Sequence, residues 1–323
     1  MKKKKILVCG ASGFVGRNVA ERLAERGDAE VYGSYLKSRP ADGCNIRMIK
    51  ADLTDARDVS DLVAGMDVIV QAAATTSGSK DVVMRPHIHV TDNAVMNSLV
   101  FRAAHEHGAS HVIFPSCTVM YPSSDRPLRE SAFDANAQMH ANYFGVGWTK
   151  VYIEKLCEFY SRIGAAKYTA VRHSNVYGPY DKYDLERSHV FGATIAKVMG
   201  APHGGVIDVW GDGTEERDLM HVSDLAAFVE AAIDNQQGRF ELLNAGIGSS
   251  IAVGDLVRKI IGHSGKDLTI NFDRSKPSIK TKLCLDIGKA KKTIGWEPRV
   301  SLDEGIKDTL RWYRKNIGLP ARI

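Results

Sequence analysis

The sequence predicts an α/β fold: a doubly wound parallel sheet with a smaller C-terminal domain. Three observations carry that prediction. Strand-like runs alternate with helix-spaced segments through the first half. The runs are apolar throughout, as strands buried on both faces are. A glycine-rich turn joins the first run to the first helix.

The elements follow in order. Ile6-Leu7-Val8-Cys9 reads as a buried strand, and Phe14 to Arg26 as a helix stopped by Gly27. Strands are predicted at Glu30 to Tyr35, Arg47 to Lys50 and Asp67 to Gln71. A long helix, Val90 to His107, stops at Gly108, and His111 to Phe114 is the fifth strand. Trp148 to Ile163 forms a helix ending at Gly164, and Tyr168 to Arg172 the next strand. The second half is less regular. Gly178-Pro179, Gly204-Gly205, Gly211-Asp212-Gly213 and Lys276-Pro277 punctuate shorter elements. A helix over Ser223 to Asp234 takes Ser223 as its N-cap, and Ser301 with Glu304 forms a capping box opening a helix to Asn316. The nucleotide-binding domain is expected at 1–172 and 218–245, and a substrate domain at 173–217 and 246–323.

Composition narrows the class. The 323 residues suffice for about two domains. Hydrophobic residues make up 44% and charged residues 25%, which excludes a disordered or low-complexity chain. No apolar run approaches the ~18 residues of a membrane helix. The basic start at Lys2–Lys5 is followed by an apolar run ending at Gly10, too short for a signal peptide. The five cysteines, Cys9, Cys44, Cys117, Cys157 and Cys284, are scattered without a CxxC pair, which predicts reduced thiols and a cytoplasmic setting, with no metal site. A net charge of +5 suits an anionic small ligand and does not call for nucleic acid.

Gly10-Ala11-Ser12-Gly13-Phe14-Val15-Gly16 follows the first strand and opens the first helix. Glycines there permit a tight turn and bring a pyrophosphate against helix N-terminal N–H groups. These seven residues predict a dinucleotide site. An acid at the end of the second strand would hold the 2′-hydroxyl of NAD. This chain has none in Gly33 to Arg39, whereas Ser34, Lys37 and Arg39 suit a 2′-phosphate. NADP(H) is therefore preferred, with NAD(H) the alternative.

Further motifs run along the chain: Ala51-Asp52-Leu53-Thr54-Asp55, Gln71-Ala72-Ala73-Ala74, Tyr121-Pro122, Asn175-Val176-Tyr177-Gly178-Pro179, Ser188-His189-Val190, Trp210 through Arg217, His221-Val222-Ser223-Asp224, Phe272 through Pro277, and Gly295-Trp296. In this order, over nearly the whole chain, they resemble the extended short-chain dehydrogenase/reductase family, also described as the NAD-dependent epimerase/dehydratase family. Within it they are most similar to the GDP-L-fucose synthase branch, NADP-dependent epimerase-reductases of 4-keto-6-deoxy sugar nucleotides. The resemblance implies a Rossmann-type fold and a nucleoside diphosphate sugar as partner. It places Asp52 and Leu53 at the adenine, Ala72, Ala73 and Ala74 along the cofactor, and Lys150 at the nicotinamide ribose. It places Asn175, Trp210, Arg217 and Lys276 at the substrate, with Arg217 on the diphosphate, and His189 as an acid/base in epimerisation. It also implies a homodimer built on the helix after Lys150, with Val151, Ile153, Leu156, Cys157 and Tyr160 as candidate face residues.

Two positions depart from the family pattern. The signature Tyr-x-x-x-Lys puts Val146 where the proton-transferring tyrosine belongs. Three arrangements fit. Tyr143, two helical turns before Lys150, takes over on the same face; an unwound turn around Gly145 and Gly147 moves Tyr143 to the ordinary place; or the site works without a tyrosine. The family's hydroxyl position falls on Cys117, with Thr118 beside it, and its epimerising cysteine falls on Val119. The expected activity is NADP-dependent reduction of a nucleoside-diphosphate 4-keto sugar. An NAD-dependent 4-epimerase or dehydratase, or a cofactor-binding protein without catalysis, are the alternatives.

Overall fold

The computed structural model describes residues 3–38, 45–76, 85–185, 188–276 and 281–318. Arg39 and Cys44 lie outside the described residues. In chain order the first half contains β1 (Lys4–Cys9), α1 (Phe14–Glu25), β2 (Ala29–Tyr35), β3 (Ile46–Lys50), α2 (Ala56–Val63), β4 (Val68–Gln71), α3 (Thr91–Glu106), β5 (His111–Pro115), α4 (Phe144–Ile163) and β6 (Lys167–His173). The second half contains β7 (Asn175–Tyr177), α5 (Val190–Gly200), β8 (Val206–Trp210), β9 (Glu216–Arg217), β10 (Leu219–His221), α6 (Val222–Asn235) and β11 (Phe240–Ala245). It ends with β12 (Ile251–Ala252), α7 (Val253–Ser264), β13 (Thr269–Asp273), α8 (Gly288–Ile294) and α9 (Leu302–Asn316).

Seven strands form one parallel sheet in the order β11-β6-β5-β4-β1-β2-β3. The strand order reverses between β1 and β4, so the crevice for a ligand opens there, above the carboxyl ends. Apolar side chains alternate between two cores because a strand has period two. Ile6 and Val8 enter the core under α1 and α6, while Leu7 and Cys9 enter the core under α2, α3 and α4. Phe101 packs edge-on against Phe114 and Tyr168, at 6.2 and 6.0 Å, tying α3 to β5 and β6. Burying each such side chain is worth roughly 1.5–3 kcal/mol.

A third core gathers Tyr177, Phe191, Ile195, Leu256, Ile260, Ile306 and Leu310 from the second half. One stretch expected with this half packs elsewhere. Ala290, Ile294 and Trp296 join the sheet core, where Trp296 meets Phe228 edge-on and its indole N–H donates to the carbonyl of Asp224 at 3.0 Å. Buried Asp218 joins the halves by accepting backbone N–H groups from Ile247, Gly248 and Leu285.

Two boundaries differ from the sequence reading. The N-cap of α6 is His221, whose ring nitrogen accepts from the Ser223 N–H, so Ser223 lies inside the helix. Helix α4 starts four residues earlier than predicted and is regular from Phe144 onward, through both glycines. They serve close packing: a Cβ on Gly147 would collide with the thioether of Met139, and one on Gly145 would stand 2.9 Å from Val90 Cγ2. The Ser301–Glu304 capping box is present as predicted.

Gly305 and Gly262 make a paired test. A Cβ on Gly305 would collide with the buried Tyr177 hydroxyl, whereas Gly262 faces open space. Gly305→Ala should lower stability by about 1–3 kcal/mol. Gly262→Ala should raise it by about 0.5–1 kcal/mol. Denaturant titration of both variants checks the pair; equal effects would contradict the packing described.

Candidate active site

The glycine loop is shaped by contacts that exclude side chains. Gly10 has φ 72°, and a Cβ there would lie 2.7 Å from Ala73 Cα, so strand β4's continuation abuts the loop. A Cβ on Gly16 would strike the Gly10 carbonyl. Gly13 is different: its Cβ would meet that carbonyl at 3.3 Å, close to tolerance, and the residue is exposed. Gly13 is also the N-cap of α1, and no side chain caps it. The first-turn N–H groups therefore face the crevice as an anion site. Ser12 is exposed beside them, and Phe14 and Val15 are partly buried.

Ser34 is 2% exposed, and its hydroxyl accepts from the Gly10 N–H at 3.0 Å, so it braces the glycine loop from beneath. Lys37 is exposed just beyond β2. The Asp52 carboxylate accepts from the N–H and hydroxyl of Thr54, which holds it below the usual carboxylate range. Leu53 is buried in the core beneath. Ala72, Ala73 and Ala74 continue β4 along the crevice, and Asn93 fixes the end of that segment through paired hydrogen bonds with the Thr75 backbone.

At the next strand end, Lys150 Nζ donates to the Pro115 carbonyl at 3.1 Å and lies 4.6 Å from the Phe114 ring centroid. Burial lowers its pKa, opposed by Cys117 and Glu154. Cys117 is partly buried, and burial raises its thiol pKa against the pull of Lys150. Thr118 is partly buried beside it.

Tyr143 sits at the N-cap of α4, after a single 3₁₀ turn of Ala141–Tyr143. No unwound turn repositions it, which removes the second arrangement for Tyr143. Burial raises its phenol pKa, opposed by the Arg217 guanidinium, with Cys117 also in electrostatic reach. Tyr143, the residue before α4, and Lys150, in its second turn, are each within electrostatic reach of Cys117. The cation acting on the phenol is Arg217.

The opposite wall comes from the second half. Arg217 Nη1 donates to the Glu216 and Thr281 carbonyls and to the Thr281 hydroxyl, at 2.8–3.0 Å. His189 is the N-cap of α5 and is solvent-exposed in the cleft, although surrounding protein and the Lys182 charge lower its pKa. Asn175 is exposed at the start of β7. Trp210, 52% exposed, ends β8 opposite Asp273, and the turn after Asp273 carries Lys276, so these two share one rim.

Beneath the site lies a network that the motifs did not announce. The Glu154 carboxylate accepts from Arg172 Nε at 3.0 Å, from Arg172 Nη2 at 2.7 Å and from the Ser116 hydroxyl at 2.6 Å. His173, which ends β6, was also missed. The signal was its place at a strand's carboxyl end.

Among the described residues no group of side chains could hold a metal ion, and no helix is long and apolar enough to cross a membrane. The described cysteines are free.

Comparison with known proteins now decides the family. The model of the NAD-dependent epimerase/dehydratase family matches residues 6–246. The chain belongs to that family. The curated relatives include GDP-L-fucose synthase of Escherichia coli K12, 28% identical with 98% of each chain covered. The dTDP-4-dehydro-6-deoxy-D-allose reductase of a Streptomyces species is 27% identical, covering 96% of each. Among solved structures, UDP-glucose 4-epimerase of Thermotoga maritima superposes with a TM-score of 0.83 at 25% identity, covering 97% of this chain and 99% of that one. The fold and the loop fit a nicotinamide dinucleotide, the cofactor class of this family.

Gly13→Ala should cost little stability, since the Gly10 carbonyl need give only a few tenths of an ångström, and should weaken nicotinamide cofactor binding about tenfold or more, since the added methyl stands where the pyrophosphate would approach. Fluorescence titration with NADPH measures this; unchanged affinity would contradict the assigned loop.

Proposed function

We propose that the chain reduces a nucleoside-diphosphate 4-keto-6-deoxy sugar, using NADP(H) in preference to NAD(H). The placement of Tyr143 at the start of α4 and of Lys150 against the Pro115 carbonyl at the end of β5, both within electrostatic reach of Cys117, carries this reading. The names of the full-length relatives support its substrate class.

When bound, the reduced nicotinamide supplies the hydride for the keto carbon. Tyr143 donates the proton to the keto oxygen; burial keeps its hydroxyl protonated and therefore able to donate. Lys150 has three N–H donors and spends one on Pro115, leaving two for the cofactor ribose. Thr118, or the weaker donor Cys117, orients the sugar oxygen. Arg217, anchored on Thr281, faces the diphosphate, with Trp210 and Lys276 on the same rim. Val119 has no proton to exchange, so His189 lacks the partner that coupled epimerisation requires. The absence of an acid from Gly33 to Arg39 and the exposed Lys37 support the NADP preference. Free thiols fit a cytoplasmic setting.

A homodimer belongs to the same reading, through a different face from the one expected. Val151, Ile153 and Cys157 are in the core, and Leu156 and Tyr160 pack against it. Tyr152, Phe159 and Ile163 on α4 and Val95 on α3 are exposed, and they form the proposed contact. Sedimentation as a monomer at micromolar concentration would overturn this.

The Val146 substitution favours one second reading, cofactor binding without turnover. Loss of nicotinamide absorbance in the presence of GDP-4-keto-6-deoxymannose separates the two. The reductase should oxidise NADPH more efficiently than NADH. Tyr143→Phe should lower kcat by about 100-fold or more while NADPH affinity stays within about threefold. Undiminished turnover in Tyr143→Phe would remove its assigned role, and binding without turnover on any 4-keto sugar nucleotide would favour the second reading.

A further inference from the structure

His173 ends β6 at the carboxyl edge of the sheet. In the sheet, Pro115 pairs with Val171, and the Ser116 N–H donates to the Val171 carbonyl at 2.7 Å. Ser116 and Arg172 both turn toward Glu154 on α4. By strand alternation, His173 leaves β6 on the opposite face from Arg172, and its ring, like the Cys117 thiol, is within electrostatic reach of Lys150.

The ring's hydrogen bonding fixes its chemistry. Nδ1 lies 2.8 Å from the Ser174 carbonyl oxygen, which can only accept. The proton is therefore on Nδ1, and Nε2 carries the lone pair. Nε2 has no hydrogen-bond partner among the described residues. Burial, with Lys150 and His189 adding smaller effects, pushes the ring's pKa down to about 4, so it is neutral at pH 7. A neutral acceptor cannot bond a keto oxygen; it needs an O–H or N–H.

We propose that His173 is a specificity-determining residue whose Nε2 accepts a hydrogen bond from a ring hydroxyl of the bound sugar. The inference rests on the nucleotide-sugar reading above. Position favours the sugar over the nicotinamide carboxamide, the other available donor. His173 ends β6 next to the strand end that carries Cys117, and it lies within electrostatic reach of His189 on the substrate wall.

Calorimetric titration of the full chain, saturated with NADP⁺, tests this without turnover. GDP-mannose and GDP are the probes, so their difference isolates the sugar. His173→Phe should weaken GDP-mannose about tenfold and leave GDP and NADP⁺ within about twofold, as loss of one neutral hydrogen bond predicts. His173→Gln keeps an acceptor at similar reach and should recover most of the loss, which a purely structural role would not. Unchanged GDP-mannose affinity in His173→Phe would overturn the proposal. An equal loss for GDP, or a loss confined to NADP⁺, would overturn it too, the latter assigning the acceptor to the carboxamide. Should wild type show no sugar-dependent gain with GDP-mannose, UDP-glucose or dTDP-glucose, the nucleotide-sugar reading itself fails and this inference with it.

Discussion

The buried ion pair of Glu154 and Arg172 holds the reaction edge together. Both side chains are almost fully buried, at 4% and 3% exposure. Removing two charges from water costs several kcal/mol per ion, and the pair survives only because its other valences are filled. Ser116 donates to the carboxylate, Arg172 Nη1 donates to the Glu130 carbonyl at 3.1 Å, and Tyr121 and Phe133 present their rings to the guanidinium. One carboxylate thereby fixes α4 against the ends of β5 and β6. Those elements carry Lys150, Cys117 and His173, so their relative positions follow from it.

In the proposed reaction the start of the same helix compensates for Val146. Helix α4 is regular from Phe144, with its glycines packed under Met139 and Val90. Tyr143 caps the start of that helix and Lys150 lies within it, and both are within electrostatic reach of Cys117. The phenol lies within electrostatic reach of Arg217, and burial prevails in raising its pKa. In the proposed reaction, proton donation and substrate charge would be coupled through that guanidinium.

Much of this was legible in the sequence because it depends on short-range rules. The apolar runs specified the parallel strands, and the Ser301–Glu304 box specified where α9 starts. Gly10 and Gly16 are glycines for steric reasons that their spacing already implied. What was not legible depends on contacts distant in the chain. The place of Ser34 at a strand end did not announce that its hydroxyl accepts from the Gly10 N–H, 24 residues away. Leu156 and Cys157 looked like an interface because helical spacing does not say which stripe faces the sheet. His173 stood one residue beyond the predicted strand, with no motif to mark it.

The central claim is net reduction at this edge, with a hydride leaving the cofactor for good. Mass spectrometry of the sugar nucleotide recovered after incubation with NADPH deuterated at the transferring C4 position tests it most directly. The account predicts one deuterium per product molecule, on the carbon that was the ketone, in step with NADP⁺ formed. A product that has changed configuration but carries no deuterium, with the cofactor unconsumed, would contradict it and make the enzyme a redox-neutral epimerase.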